Sequence, residues 1–96
     1  MPIDQARQLM DQVPGWELEE NEPKLTRRFR FKDFAGSMDF VNRVAALAEA
    51  EGHHPDFHIS WNRVRLDLTT HAIKGLSEND FIMAARINEI VERLNA

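Results

Sequence analysis

From Ile3 to Val13 the apolar residues Ile3, Ala6, Leu9, Met10 and Val13 return at intervals of three and four, the spacing of one helix face, and Pro14-Gly15 ends the run. From Trp16 the period changes to two. Trp16 and Leu18 alternate with Glu17 and Glu19; after a polar turn over residues 20–23 the alternation resumes from Leu25, with Phe29 and Phe31 on one face and Arg28 and Arg30 on the other. Two half-buried strands in this arrangement predict a hairpin. Asp33 then offers a helix N-cap, and Phe34, Ser37, Phe40, Val41, Val44, Leu47 and Ala48 keep helical spacing as far as Gly52, a residue suited to a helix C-terminus.

A second hairpin follows. Phe57, Ile59 and Trp61 alternate with His58 and Ser60, then Val64, Leu66 and Leu68 with Arg65, Asp67 and Thr69. If Asn62-Arg63 forms the two-residue turn, Asn tolerating a positive φ, then Trp61 faces Val64, Ile59 faces Leu66 and Phe57 faces Leu68. The same register sets Ser60 against Arg65 and His58 against Asp67 on the polar face. Carried to the open end, it brings His54 beside His71. Trp16, Phe57 and Trp61 read as core residues, and Arg27, Arg28 and Arg30 as a solvated strand face.

The last helix opens with Ser77 as N-cap and Asp80 three residues on, an Asp version of the capping box, with Leu76 and Phe81 placed as a hydrophobic staple. It continues through Ala84, Ile87, Val91 and Leu94. The order helix, strand, strand, helix, strand, strand, helix excludes a parallel αβ fold, because the strands come in adjacent hairpin pairs. The expectation is a single α+β domain over residues 1–96, a four-stranded antiparallel sheet covered by three helices on one face.

Composition narrows the function classes. A chain of 96 residues with 43% hydrophobic and 29% charged residues is long enough for one core and one domain, and is neither disordered nor fibrous. No cysteine means no disulfide, thiolate nucleophile or cysteine-based zinc site. The N-terminal residues lack the basic and continuous apolar stretches of a signal peptide, and no run approaches the ~20 apolar residues of a membrane span, so a soluble cytoplasmic protein is expected. A formal net charge of -4 makes nucleic acid a poor partner.

All four histidines lie between residues 53 and 71. An imidazole, with an unperturbed pKa of about 6.5, both gives and takes protons near neutrality, so His53, His54 and His71 form a plausible proton-transfer set. Glu49 sits one helical turn before His53, with Glu51 nearby. Carboxylates are disfavoured at a helix C-terminus, and a carboxylate beside an imidazole can fix its tautomer. A histidine near a strand end is ordinarily a polar surface residue, and His58, opposite Asp67, keeps that reading. Asp80 is explained locally by capping. Three histidines with a carboxylate could hold zinc, but adjacent His53 and His54 do not have the i, i+4 spacing of the common zinc hydrolase motif, and no further cluster completes a shell. Ser60 and Ser77 lack a nucleophile-elbow context.

These residues resemble the pterin-4a-carbinolamine dehydratase family. Its signature reads here as Glu49, three positions, His53-His54-Pro55, then Trp61, nine positions, His71 and finally Asp80. Gly15-Trp16, Phe31-Lys32-Asp33-Phe34, Asn62 before Val64, Thr70-His71 and Gly75-Leu76-Ser77 also look like family positions, so the resemblance spans nearly the whole chain. It implies three helices against a four-stranded antiparallel sheet, and dehydration of a 4a-hydroxytetrahydropterin to the quinonoid dihydropterin, a recycling step after aromatic amino-acid hydroxylation. It implies no metal and no organic cofactor, and a homodimer or homotetramer. By position, His53 and His71 would be the acid/base pair and His54 would polarise the hydroxyl. Glu49 would support the histidines, and Gly52, Pro55, Thr69, Thr70 and Asp80 would help to bind the substrate. Phe57 departs from the Trp of many relatives, and Ala72 from their polar or acidic residue. Two other readings stay open: a non-catalytic dimerisation or coactivator scaffold, as some animal relatives provide, and pterin chemistry linked to molybdopterin.

Overall fold

The computed structural model, which describes residues 1–95, runs α1 (Ile3–Leu9), β1 (Glu17–Glu19), β2 (Lys24–Arg30), α2 (Phe34–Glu51), β3 (Asp56–Ser60), β4 (Arg63–Leu68) and α3 (Glu78–Asn95). Short 3-10 turns at Met10–Gln12 and His71–Ile73 complete it. The element order is the expected one, and the four strands make one antiparallel sheet in the order β1-β2-β4-β3. β4 lies between two neighbours, and its Val64, Leu66 and Leu68 are all buried. They meet Leu25 and Phe29 of β2, Phe40, Val44 and Ala48 of α2, and Phe81, Ala84 and Ile87 of α3 in one core. Ala6 and Val13 from the first helical segment join it. Among the described residues no helix is long and apolar enough to cross a membrane.

The helix ends follow local chemistry. Asp33 caps α2 through a 2.8 Å bond accepted from the Gly36 N–H. At the other end Gly52 adopts φ 65, and the His53 N–H reaches back to the Ala48 carbonyl at 3.2 Å. That six-to-one bond is a Schellman closure, and it fixes where the chain leaves the helix toward His53.

The second hairpin departs from the expected register. Ile59 pairs with Val64, Phe57 with Leu66, and His58 with Arg65, so every partner moves by two positions. A shift of two preserves which face each side chain occupies. The cause is Asn62, whose carbonyl accepts from the Phe31 N–H at 2.8 Å and whose amide donates to the Phe31 carbonyl at 3.2 Å. Asn62 is thereby tied to the strand next door, the turn closes over Trp61-Asn62, and Trp61 takes the positive φ of 51. Trp61 is consequently 67% exposed and is not a core residue. Ile59, on the outer strand, is also exposed, while Phe57 packs partly against the core.

Arg27 also corrects the sequence reading. It shares parity with Leu25 and Phe29, so it lies under α3 and not on the solvated face with Arg28 and Arg30. Its guanidinium stacks 4.7 Å from the centre of the Phe29 ring and donates to the Asn88 side-chain carbonyl. Burial lowers its pKa from the ordinary value, with Glu92 acting in opposition. Asn88 also accepts from the Trp16 indole at 2.9 Å and donates to the Pro14 carbonyl at 3.0 Å, so one buried amide joins the end of the first helical segment, β2 and α3.

Asn88→Ala strands the buried Trp16 and Arg27 donors, and urea denaturation is expected to show a loss of about 2–3 kcal/mol. Gly15 adopts φ +87, and a Cβ there would approach the Arg27 guanidinium to 2.8 Å. Gly15→Ala is therefore expected to cost about 1–2 kcal/mol in the same assay, with a native-like circular dichroism spectrum.

Candidate active site

The first imidazole of interest follows directly from the α2 closure. His53 leaves Gly52 pointing toward α3, where its Nε2 lies 2.5 Å from the Asp80 Oδ1. Asp80 is fully buried, and its second oxygen accepts from the Thr70 hydroxyl at 2.9 Å and the Ser77 N–H at 3.0 Å. The bond from Ser77 is the reciprocal half of the capping box read from sequence. The other half is missing. The Ser77 hydroxyl instead lies 2.8 Å from the Thr70 oxygen, and since Thr70 spends its proton on Asp80, Ser77 is the donor there.

This arrangement fixes protonation roles at His53. A carboxylate that only accepts requires Nε2 to carry hydrogen, so a neutral His53 presents an unprotonated Nδ1. Burial of Asp80 without these partners would cost several kcal/mol; three donors in good geometry offset it.

Thr70 carries the network to the next segment. Its N–H donates to the Gly75 carbonyl at 2.9 Å, closing the loop over residues 70–75, and Thr69 secures the loop's base by donating to the Pro23 carbonyl at 2.8 Å. Within the loop His71 starts a 3-10 turn that ends at Lys74 with φ 50. His71 is exposed and lines a recess of about 410 Å³ together with Asn21, Lys24, Asp56, Thr69 and Lys74. His53 borders a separate, smaller recess of about 90 Å³ with Gly52, Asn79 and Ile82.

His54 is placed differently. It is exposed, and its Nε2 lies 3.4 Å from Glu49, also exposed. The carboxylate expected to support the histidines thus meets His54 and not His53. Glu51 pairs with Arg86 of α3 at 2.5 Å, which explains its position near the helix end. The shifted hairpin register removes the reason to set His54 beside His71. His58 keeps its plain reading, with Nε2 3.3 Å from Asp67 on the diagonal.

Of the residues picked from sequence, His53, Asp80 and Thr70 therefore form one hydrogen-bonded chain, and Thr70 immediately precedes His71, which lines the larger recess. Gly52 supplies the left-handed exit from α2, and Pro55 is buried just before β3. Thr69 holds the His71 loop. Ser77 is an addition: capping explained it from sequence, and its hydroxyl contact with Thr70 left no mark in local spacing. Among the described residues no three His, Asp or Glu side chains converge as metal ligands do.

Known proteins give this geometry a context. Residues 1–90 match the family model described as pterin 4 alpha carbinolamine dehydratase. The Arabidopsis thaliana protein named pterin-4-alpha-carbinolamine dehydratase 2, mitochondrial, is 51% identical over 88 residues, covering 88% of this chain and 47% of its own length. A Methylococcus capsulatus protein given the dehydratase name provisionally is 49% identical over 90 residues, covering 94% and 79%. Among solved structures, a protein described as a transcriptional coactivator/pterin dehydratase from Brucella melitensis superposes with TM-score 0.89 at 32% identity, covering 94% of this chain and 96% of that one. A pterin dehydratase-like protein described as a RuBisCO assembly factor of the alpha-carboxysome superposes with TM-score 0.69 at 26% identity, covering 82% and 92%. The chain belongs to the pterin-4-alpha-carbinolamine dehydratase family.

Proposed function

We propose that residues 1–96 form one dehydratase domain that converts a 4a-hydroxytetrahydropterin, such as 4a-hydroxytetrahydrobiopterin, into the quinonoid dihydropterin and water, in tetrahydrobiopterin recycling. The observation that carries this reading is the 2.5 Å contact between His53 and the buried Asp80, which orients an imidazole with Nδ1 free to accept a proton. The pterin's own nitrogens supply the electron push that expels hydroxide from the bridgehead carbon. The protein needs a base for the ring N–H and an acid for the leaving oxygen.

His53 is the base on this reading, and the imidazolium it becomes is balanced by Asp80. His71, exposed on the loop that Thr70 anchors, is the acid that protonates the departing hydroxyl. His54, backed by Glu49, polarises that hydroxyl. Gly52, Pro55, Thr69 and Thr70 frame the substrate through backbone shape and loop position. The step requires neither metal nor organic cofactor. The same reading places the chain in the cytoplasm as a homodimer or homotetramer, and the unpaired outer edge of β3 with exposed Ile59 supports self-association.

A scaffold role, suggested by the coactivator and assembly-factor descriptions of the two structural relatives, would use the buried Asp80 only to hold α2, the loop after β4 and α3 together, and has no need for an imidazole among its donors. Freshly generated 4a-hydroxytetrahydropterin followed by ultraviolet absorbance separates the two. Wild-type protein in excess chelator is expected to accelerate water loss, and His53→Ala and His71→Ala to lose about 10²–10⁴-fold in kcat/KM, with a smaller loss for His54→Ala. Wild-type protein that fails to accelerate water loss would remove the enzyme reading, and variants as fast as an active parent would remove the proposed histidine roles; activity that disappears with chelator and returns with zinc would replace them with metal chemistry.

Asp80 is proposed as a positioning residue. Asp80→Asn is expected to lower kcat at least tenfold while KM changes by less than about threefold, since the amide no longer enforces the tautomer. Thr70→Val removes one of three donors to the carboxylate and is expected to give a smaller fall in kcat. Equal losses in KM for both would contradict a tautomer-fixing role.

A further inference from the structure

The face of the sheet opposite the helices carries a charge pattern that dehydration does not use. Arg28 lies directly across from Arg65, and Arg30 directly across from Arg63, on adjacent strands; His58 then flanks Arg65 from β3. Like charges in directly opposed positions destabilise a sheet, and two such pairs stand side by side here. The arginines surround a recess of about 450 Å³ that His58, Ser60, Phe29, Ile59 and Val64 also line, and no carboxylate lines it. Arg28 meets Glu17 at 3.7 Å and Arg65 meets Asp67 at 3.4 Å, both outside that lining, while Arg30 and Arg63 have no ion-pair partner among the described residues. The Nε of Arg65 is buried and likewise has no hydrogen-bond partner among the described residues. The concentration is local, because the chain as a whole has a formal charge of -4.

We infer that this recess binds a compact di- or triphosphate group. Strand spacing and rise place the four arginine backbones at the corners of a patch roughly 5 by 7 Å, the scale of two or three linked phosphoryl groups. Guanidinium groups present paired donors that match phosphate oxygens, and a bound anion would relieve both opposed pairs at once. The positive area is also bounded. Further along the same face come Asp67, Asp56, Glu17 and Glu19, with Lys24 the single cation among them, and this net negative stretch would repel a polyanion running the length of the sheet. A nucleic-acid duplex, which needs a continuous basic track, fits this pattern less well than a small ligand. The recess shares no residue with His53, His54, His71 or Asp80, so the inference stands apart from the proposed dehydration.

Isothermal titration calorimetry at fixed ionic strength tests it with pyrophosphate, tripolyphosphate, orthophosphate, sulfate and ADP. Pyrophosphate and tripolyphosphate are expected to saturate one site per chain at least tenfold more tightly than orthophosphate or sulfate. ADP and pyrophosphate compared side by side distinguish a diphosphate carried on a nucleoside from a free one, the tighter of the two identifying the carrier. The double variant Arg30→Gln/Arg63→Gln is expected to weaken binding at least tenfold, as is Arg28→Gln/Arg65→Gln, each with an unchanged circular dichroism spectrum. Arg43→Gln, on the exposed side of α2, is expected to bind as the parent does. Absence of saturable pyrophosphate binding, an equal loss in Arg43→Gln, or duplex DNA binding without pyrophosphate binding would each overturn the assignment.

Discussion

The carboxylate of Asp80 is a charge-bearing group with no exposed surface, and the arrangement around it follows from that fact. A buried carboxylate is tolerated only when donors converge on it, and here they come from three separate places: the end of α2 through His53, the loop after β4 through Thr70, and the start of α3 through Ser77. Satisfying one side chain therefore sets the relative positions of three segments. The same bonds that make the carboxylate tolerable give His53 a defined tautomer. Stability and the proposed chemistry share one origin at this point, and the α3 capping box is its local expression.

The fold was legible because its signals are local. Periods of two and of about 3.6 residues, with Gly52 and Asp33 as end markers, are properties of neighbouring residues and survive without knowledge of what packs against them. The register of the second hairpin was not legible. It is decided by Asn62 bonding to Phe31, a residue thirty-one positions away in sequence, and nothing in the sequence from Phe57 to Leu68 reveals that bond. The same limit applies to Trp61, whose size suggested the core but whose place in the turn puts it in solvent. Arg27 was misplaced for a different reason: charge outweighed parity in its reading, although its alternation with Leu25 and Phe29 already placed it on the helix face.

The candidate site was legible to the same degree. The crowding of histidines between residues 53 and 71 is a compositional signal, and it marks the segments that carry His53, His54 and His71. Local capping accounted for Asp80 so well that its contact with His53, twenty-seven residues away, left no separate trace. Helical spacing from Glu49 leads toward His53, whereas the Schellman closure turns His53 under α3 and leaves His54 on the outside, within 3.4 Å of Glu49. Backbone geometry at Gly52 thus distinguishes two adjacent histidines that sequence treats alike.

That distinction bears on how the proposed labour is divided. His53 is partly buried and held by a fully buried carboxylate, so its ring has one orientation and one available nitrogen. His54 faces solvent and meets Glu49 only at 3.4 Å, a contact that exposed side chains gain and lose with little energetic consequence. A base that must accept a proton from a rigid bicyclic ring benefits from a fixed lone pair, whereas a group that polarises a hydroxyl can adjust to its partner. The sheet's two faces separate in the same manner. One is committed to apolar packing under the helices. The other retains arginines in mutually repulsive positions, where an acidic chain could have placed carboxylates at no cost to the core.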